Sequence, residues 1–366
     1  MRVLFISPVP LEGAGCRARI MQYLPYLEAV GIHGVVRPFM NAAFFKVAYQ
    51  PGCWGRKVLY LLLGLLRRVI TCLESVRYDV IYVYRECAPI GPPLFEWVLR
   101  QLGKPLIYDL DDAIHLPSEQ EQFRGRVWRW VKCYSKVPWI VRHCDHAIVG
   151  NSYLKGYVQQ WTPHVTILPT PEDPARFQEA PRPDADGRLT IGWIGTHSTA
   201  SYFLQLANIL RELSGRYDLR VKVVGAGRPI AIPGVRVESV AWSLAEEARL
   251  VQSFDVGVYP LSGSEFDQGK ACYKAILYMA AGVPVVASRF GANCDIIQDG
   301  VNGFLASSAD EWIRRLSQLA EQPDLRARLQ DAGRQAVAAR YSVAANAPRL
   351  IEVIRSAGAA ARRPTV

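Results

Sequence analysis

Two lysines four residues apart, Lys270 and Lys274, are the strongest candidates for chemistry in this 366-residue sequence. They follow a polar loop at 262–269 and open a helical pattern that closes at Gly282. We predict that both lie in the first turn of that helix, where unpaired backbone N–H groups attract anions. A cation there opposes the helix dipole, and a bound diphosphate would offset that cost. The alternative is a solvated helix start that carries two lysines by chance.

Two carboxylates, Asp111 and Asp112, follow a predicted strand at 106–108. Ligands of doubly wound sheets bind at the carboxyl ends of the strands, so we expect both side chains to face a cleft. Carboxylates also suit Mg²⁺ or Mn²⁺ at a diphosphate. We favour instead a strand end that caps a helix, and we predict no metal. His115 lies just beyond and is expected either to orient a substrate or to be an ordinary loop histidine.

The ends of two other predicted strands also carry candidate residues. Arg85 and Glu86 follow the strand at 80–84, and they either point into the cleft or pair with each other at its rim. Gly15 and Arg17 belong to the loop after the first strand, whose glycines do not match the dinucleotide-binding pattern. Arg17 is therefore either a cleft cation or a surface arginine.

Alternating strands and helices are predicted to position these residues. Apolar runs predict strands at 3–6, 80–84, 106–108, 147–149 and 165–168, and a second series from 190–195 to 283–287. Helical spacing is found at 17–30, 201–213 and 273–281. The sequence therefore predicts an α/β protein with two Rossmann-like domains. Six prolines between Pro163 and Pro183 mark a linker. We predict an N-terminal domain at 1–170, a linker at 171–188, a C-terminal domain at 189–343, and a C-terminal helix and tail at 344–366.

Several segments resemble the retaining GT-B glycosyltransferases of family 4. The lysine pair with the run Tyr278–Gly291 is similar to the family's donor-binding segment, and so is the run at 296–305. Gly192–Thr196 is similar to the first strand and loop of its C-terminal domain, and 107–112 to a segment of one branch. The resemblance implies GT-B architecture, in which two Rossmann-like domains face a cleft and the C-terminal helix crosses back to the N-terminal domain.

The resemblance also implies how the site is divided. A nucleoside diphosphate sugar would bind the C-terminal domain and the acceptor the N-terminal domain, with retention of configuration and without an obligatory metal or other cofactor. The predicted donor-binding residues are Gly15, Gly195, Thr196, Glu265, Lys270, Tyr273 and Lys274. The predicted catalytic residues are Lys270, Lys274 and His115, and the predicted acceptor-side residues are Arg17, Arg85, Asp111 and Asp112.

The sequence departs from the family at two places. Leu277 stands where many members carry a glutamate associated with the nucleotide ribose, and we expect Glu265 or Asp267 to substitute for it. The loop at 196–200 lacks the arginine and lysine that many members carry there. We therefore expect the phosphate charge to rest more heavily on Lys270 and Lys274.

The net charge of +10 indicates an anionic partner. Basic residues and tryptophans alternate at 124–143 without an acid, which suits an anionic membrane surface; the alternative is buried tryptophans and solvated cations. No nucleic-acid module is recognised, so nucleic acid is not predicted. The apolar tract at 58–66 is too short to span a bilayer. Scattered cysteines and no evident signal peptide predict a cytoplasmic protein, peripheral at the inner membrane face if the basic segment docks there.

These features predict a glycosyltransferase that moves a sugar from a nucleoside diphosphate to a saccharide or lipid-linked acceptor. The expected setting is assembly of a surface polysaccharide or glycolipid. Two alternatives keep the fold but change the activity. One is a non-catalytic, GT-B-like sugar-binding or regulatory protein, which the leucine at 277 suggests, and the other is a nucleotide-sugar epimerase.

Overall fold

The computed structural model describes residues 1–48, 50, 52–118, 121, 125–177 and 188–360. The chain forms two compact units. Unit 1 comprises Met1–Thr170, Gly269–Ala271 and the chain from Asn346 onward, and unit 2 comprises Pro171–Gln268 and Cys272–Ala345. Most of the predicted linker, 178–187, lies outside the described residues.

Unit 1 is built on a parallel sheet whose strand order is β2-β1-β3-β4-β5-β6. The strands are β1 (Arg2–Ser7), β2 (His33–Pro38), β3 (Val80–Tyr84), β4 (Leu106–Leu110), β5 (His146–Val149) and β6 (Val165–Ile167). Every residue of β3 and β4 is buried, as expected of strands covered by helices on both faces. This burial explains why continuous apolar runs predicted most of these strands.

The helices of unit 1 are shorter than predicted near the N-terminus. They are α1 (Ala14–Arg19), α2 (Leu24–Glu28), α3 (Ala42–Ala48), α4 (Trp54–Glu74), α5 (Leu94–Gln101), α6 (Arg126–Lys132), α7 (Lys136–His143) and α8 (Ser152–Val158). The single helix predicted at 17–30 is wrong, because Ile20 leaves the helical conformation and a 3₁₀ turn separates α1 from α2. The predicted turn at Asn151 is confirmed: its side chain accepts a hydrogen bond from Leu154 N at 2.9 Å and caps α8.

A buried ion pair joins α1 to the sheet of unit 1. Arg19 and Asp109 have no exposed side-chain surface, and Arg19 Nε donates to Asp109 Oδ2 at 3.0 Å. Arg19 Nη1 also donates to Leu168 O at 2.5 Å, and the Tyr82 hydroxyl donates to Asp109 Oδ2 at 2.6 Å. Because every charged group here has a partner, the cost of burial is compensated across β3, β4 and the chain after β6.

Unit 2 has a second parallel sheet, with strand order β12-β11-β10-β7-β8-β9. Its strands are β7 (Leu189–Ile194), β8 (Leu219–Val224), β9 (Val237–Val240), β10 (Val256–Tyr259), β11 (Val285–Ser288) and β12 (Phe304–Ala306). The helices that follow are α9 (Ala200–Leu204), α10 (Ala207–Ser214), α11 (Glu247–Gln252), α12 (Glu265–Gln268), α13 (Tyr273–Ala280), α14 (Asn293–Ile296), α15 (Ala309–Glu321), α16 (Pro323–Ala336) and α17 (Val343–Ala360). The helix predicted at 201–213 is interrupted between α9 and α10, and the predicted polar loop at 262–269 contains α12.

The predicted α/β class and the return of the C-terminal helix are confirmed. Helix α17 begins in unit 2 and belongs to unit 1 from Asn346 onward. Within unit 1, Arg355 Nη2 donates to Val30 O at 3.3 Å, and a side chain in place of Gly358 would press on Met1. The end of α17 therefore packs beside the start of β1.

Arg19→Met is expected to lower the free energy of unfolding by about 3–5 kcal/mol, because the Asp109 carboxylate stays buried without its cation. Denaturant titration followed by circular dichroism measures this loss. Arg328→Met, at an exposed position on α16, is the matched control and should change stability by less than about 0.5 kcal/mol. Combining Arg19→Met with Asp109→Asn should recover part of the loss. A loss no larger than that of the control contradicts this account.

Candidate functional site

The strand order of unit 2 reverses between β7 and β10. From β7, the chain adds β8 and β9 on one side and then β10, β11 and β12 on the other. In doubly wound sheets, ligands bind beyond the carboxyl ends of the strands at this point of reversal. The residues that follow Ile194 and Tyr259 therefore form the first place to search for a site.

Helix α13 begins where the helical spacing at 273–281 predicts it, so Lys270 precedes the helix. Its first residue is Tyr273, and Cys272 has a left-handed backbone conformation with φ 51°. The prediction that Lys270 and Lys274 share the first turn of one helix is therefore wrong. Lys270 lies in the irregular segment before the helix and belongs to unit 1, whereas Lys274 belongs to unit 2.

Lys274 lies at the point where the strand order reverses. Its Nζ is 4.7 Å from the ring centroid of Trp193 on β7 and 5.4 Å from that of Tyr259 on β10. The ammonium also donates to Thr199 Oγ1 at 3.3 Å. Aromatic faces attract a cation, so these contacts hold a positive charge at the carboxyl ends of two neighbouring strands.

Tyr278 fixes the position of Lys274. It lies one turn further along the same face of α13 and is fully buried. Its hydroxyl accepts from Ile194 N at 3.1 Å and donates to Val258 O at 3.4 Å. The tyrosine thus ties α13 to both β7 and β10, and the helix carries Lys274 to the strand ends.

The loop after β7 contains the predicted residues Gly195 and Thr196. Gly195 N donates to Val224 O at 3.0 Å, and a Cβ at Gly195 would overlap Trp193. A Cβ at Gly225, which has φ +80°, would overlap the Gly195 carbonyl oxygen. Glycine at both positions is therefore what lets the two loops approach, and it leaves Thr196 exposed beyond them.

The remaining residues predicted for the donor differ in what they contact. Tyr273 opens α13, and its hydroxyl donates to the carboxylate of Glu172. Asp267 is fully buried and accepts from Tyr202 Oη at 2.8 Å and from Ser262 Oγ at 2.6 Å. Its carboxylate therefore holds α9 to the loop before α12. Glu265, at the start of α12, is exposed to solvent.

In unit 1 the strand order reverses between β1 and β3. Gly15 lies there against Tyr84, since a Cβ at Gly15 would overlap the tyrosine hydroxyl. That hydroxyl donates to Asp111 Oδ2 at 2.8 Å. Arg17, two residues further on, is buried, so its interpretation as an ordinary surface arginine is wrong.

Arg85 connects the predicted acceptor-side residues of unit 1. Its Nε donates to Asp111 Oδ1 at 2.5 Å, and its Nη2 lies 3.4 Å from Asp112 Oδ2. The backbone of Arg85 is left-handed, with φ 60°, and its N–H donates to Asp109 O at 2.8 Å. The alternative of an ion pair between Arg85 and Glu86 is wrong, because Glu86 pairs with Lys132 and Lys136 at 3.0 and 2.8 Å.

The pKa values of the two adjacent aspartates are shifted in opposite directions. Burial alone would raise the pKa of Asp111, but the Arg85 guanidinium lowers it below its ordinary value. Burial raises the pKa of Asp112, despite the opposing charges of Lys270 and Arg85. One carboxylate is therefore held charged while its neighbour accepts a proton more easily, an arrangement that suits a hydroxyl-bearing ligand. Residues 111–118 form a loop that contains no helix, so the predicted helix cap is wrong.

Lys270 lies in the same region of unit 1. Its carbonyl accepts from Asn151 Nδ2 at 3.0 Å, and its charge acts on Asp112. A Cβ at Gly269 would overlap Ala113, so only glycine allows this close packing. His115 stacks on Tyr157 with the ring centroids 3.8 Å apart, and its predicted catalytic role stays a prediction.

The sequence did not indicate several of these residues. Trp193, Tyr259 and Thr199 around Lys274 come from three separate elements, and Asn151 reaches Lys270 across 119 residues. With the strand order known, Trp193, Tyr259 and Thr199 could have been predicted, because ligands of doubly wound sheets bind where the strand order reverses. Among the residues that the structure describes, no three His, Cys, Asp or Glu side chains are grouped as they would be around a metal ion.

Comparisons with known proteins support the prediction of a glycosyltransferase. Residues 188–322 match the family model described as glycosyl transferases group 1. The chain is 16% identical to sucrose-phosphate synthase from Thermosynechococcus elongatus, with a TM-score of 0.70 over 98% of this chain and 100% of that one. It is 16% identical to HepE from Anabaena in complex with UDP and glucose, with a TM-score of 0.68 over 97% of this chain and 100% of that one. It is 14% identical to WaaG, a glycosyltransferase involved in lipopolysaccharide biosynthesis, with a TM-score of 0.64 over 97% of this chain and 99% of that one.

A search of curated proteins gives no significant match. The domain match and the fold shared along the chain identify a glycosyltransferase of GT-B architecture. Its assignment to family 4 and the retention of configuration stay predictions.

Asp111→Asn is expected to lower the free energy of unfolding by about 2 kcal/mol at pH 7, because Arg85 loses a charged hydrogen-bond partner. Since the folded-state pKa of Asp111 is lowered, its contribution is present above its ordinary pKa and is lost as the pH falls through the folded value. The difference from the wild type should therefore shrink between pH 7 and pH 3. Asp331→Asn, at an exposed position on α16, is the control. A difference independent of pH would refute the ion-pair account.

Proposed function

We propose that unit 2 binds a nucleoside diphosphate sugar where β7 meets β10 and that the enzyme transfers the sugar to an acceptor hydroxyl. The observation that carries this proposal is the Lys274 ammonium held over Trp193 and Tyr259 at that point. Residues 196–198, in the loop beside it, are exposed and accessible to a bound phosphate group. A fixed cation at the carboxyl ends of two strands suits a diphosphate.

In the proposed reaction, the bond between the anomeric carbon and the diphosphate oxygen breaks. A bond from the acceptor oxygen to that carbon forms, and the hydroxyl proton leaves with the diphosphate or a nearby base. Negative charge grows on the leaving oxygens, so a preorganised cation lowers the barrier. Lys274 is proposed for this role. Lys270 and Tyr273 keep the roles that the family resemblance implies, and retention of configuration rests on the same resemblance.

The acceptor is proposed to bind unit 1 at the end of β4. Asp111 and Asp112 would accept hydrogen bonds from sugar hydroxyls, and Arg85 keeps Asp111 charged for that purpose. Arg17 and His115 are proposed to line the same region, and Gly15 keeps the donor-binding role that the family resemblance implies. A saccharide or lipid-linked acceptor fits these groups, and surface polysaccharide or glycolipid assembly is the proposed setting, in keeping with WaaG among similar structures.

The nucleotide is proposed to be recognised without the glutamate common in the family. Leu277, at that position, is buried, and the Asp267 carboxylate already holds Tyr202 and Ser262. Exposed Glu265 is therefore the proposed ribose partner. UDP-glucose, which HepE from Anabaena holds in a solved structure, is the first donor to test.

We also propose a cytoplasmic enzyme that binds the inner membrane face through 124–143. Only part of this segment is suited to the contact. Val127 and Trp130 are exposed on α6, but Lys132 and Lys136 are held by Glu86. Arg124 lies outside the described residues. None of the helices that the structure describes is long and apolar enough to cross a bilayer.

Lys274→Met is expected to lower kcat for nucleoside diphosphate release at least about 100-fold, the usual scale for loss of one preorganised charge on a leaving group. The assay is a panel of nucleotide sugars with candidate saccharide and lipid-linked acceptors. Lys46→Met, at an exposed position on α3 of unit 1, is the control, and Lys270→Met is measured separately. Full activity of Lys274→Met would show that the phosphate assignment is wrong. Donor binding without release of nucleoside diphosphate in the whole panel would favour the regulatory alternative. Formation of a new nucleotide-sugar stereoisomer would favour the epimerase alternative.

A further inference from the structure

Helix α4 exposes an unusually long apolar surface. Trp54, Leu62 and Leu73 expose 76%, 57% and 71% of their surface. The other exposed apolar residues of the helix are Val58, Leu59, Leu63, Leu66, Val69 and Ile70. Spacings of three and four residues place most of them on one stripe along the 21-residue helix. Contiguous apolar surface of this size marks a site of interaction.

The opposite face of α4 is firmly attached to unit 1. Arg68 is buried and donates to three backbone carbonyls: Cys87 O at 2.8 Å, Arg37 O at 3.0 Å and Ser7 O at 3.2 Å. A Cβ at Gly64 would overlap the Phe39 ring, so the helix approaches the core closely there. The exposed stripe is therefore a fixed outer surface of the folded unit.

The charges on α4 have one sign along most of its length. Arg56, Lys57, Arg67 and Arg68 are its charged residues before Glu74, which ends the helix. Within the described chain, the exposed Arg56 and Arg67 make no ion pair. Lys and Arg side chains beside an apolar stripe can extend to phosphate headgroups while the stripe contacts acyl chains.

A groove of about 310 Å³ adjoins this surface, between the end of β2 and α4. Its lining includes Arg37, Asn41, Arg67 and Ile70. Arg37 Nε donates to Glu74 Oε2 at 3.0 Å, so the two arginines and this glutamate leave one net positive charge in the groove. The groove therefore combines hydrogen-bond donors for a phosphate with an apolar wall that continues onto α4.

We propose that α4 lies in the plane of an anionic bilayer, with its apolar stripe among the upper acyl chains and a lipid phosphate in the adjoining groove. Leu94 and Trp97 extend the surface, because they are exposed on α5, whose Phe95 packs against the same cluster as Tyr60, Leu61 and Leu65 of α4. This surface enlarges the membrane contact beyond α6 and makes α4 its principal element.

A second copy of the chain fits this surface less well. Pairing of α4 with itself joins two surfaces of like net charge, because the helix carries Arg56, Lys57, Arg67 and Arg68 against the single acid Glu74. Anionic lipid has the opposite charge, so charge complementarity favours the membrane.

The test is sedimentation of the full-length protein with phosphatidylcholine vesicles and with vesicles containing one third phosphatidylglycerol, without donor. Wild-type protein should bind the anionic vesicles at least about ten-fold more tightly, since each nearby basic residue contributes roughly five-fold. Leu62→Gln with Leu66→Gln should weaken that binding at least about ten-fold. Arg56→Gln with Arg67→Gln should remove most of the preference for anionic lipid and reduce its salt dependence.

The matched controls are Leu244→Gln with Val301→Gln, which replace exposed apolar residues of unit 2, and Arg328→Gln. Near-ultraviolet circular dichroism confirms that each variant is folded. The proposal is overturned if the α4 variants bind like wild type or if wild type binds neither vesicle. Loss of binding only in Val127→Gln with Trp130→Gln would assign the contact to α6 instead. Conversion of a dimer to a monomer by the leucine variants would make a second copy the occupant. Because no donor is present, these outcomes do not depend on glycosyl transfer.

Discussion

A single ammonium group, that of Lys274, lies where the strand order of unit 2 reverses, and the proposed donor site depends on it. The strand order leaves β7 and β10 as neighbours whose following loops diverge. Helix α13 crosses their ends because the Tyr278 hydroxyl bonds to Ile194 N and Val258 O. Trp193 and Tyr259 then hold the cation from the two strands. Topology, helix packing and charge therefore meet at the same point.

Unit 1 buries several charged side chains near the ends of β3 and β4. Arg19 with Asp109 is fully enclosed and serves the fold. Arg85 with Asp111 is partly accessible from the arginine side and serves the site. The left-handed backbone of Arg85 directs its side chain to Asp111 rather than to Glu86. Paired charges cost little here, whereas removing one partner leaves the other buried alone.

The sequence predicted the class of fold because both sheets are parallel and buried, so their strands appear as apolar runs. It also predicted that residues after β4 would face a ligand, since parallel strands end at one edge, and the family resemblance pointed to the loop after β7; the roles of these residues stay predictions. The failures have local or long-range causes. Cys272 adopts a left-handed conformation that residue preferences do not indicate, and this separates Lys270 from α13. The packing of Gly269 on Ala113 joins residues far apart in the chain.

The sequence also did not indicate which charged residues are buried. Arg19 looks like a surface residue until its partner, 90 positions away, is brought beside it by β4. Helix α4 shows the converse. Its apolar tract was visible at 58–66, but only the packed structure shows that the leucines face outward and Arg68 inward.

The most direct test of the central claim is photoaffinity labelling with a nucleoside diphosphate that carries a photoreactive group on its terminal phosphate, followed by peptide mapping. The account predicts label in the peptides of unit 2 that contain Thr196–Thr199 or Lys274, and loss of that label when unlabelled nucleotide is added. Label confined to unit 1, or label on unit 2 that unlabelled nucleotide does not displace, would contradict it.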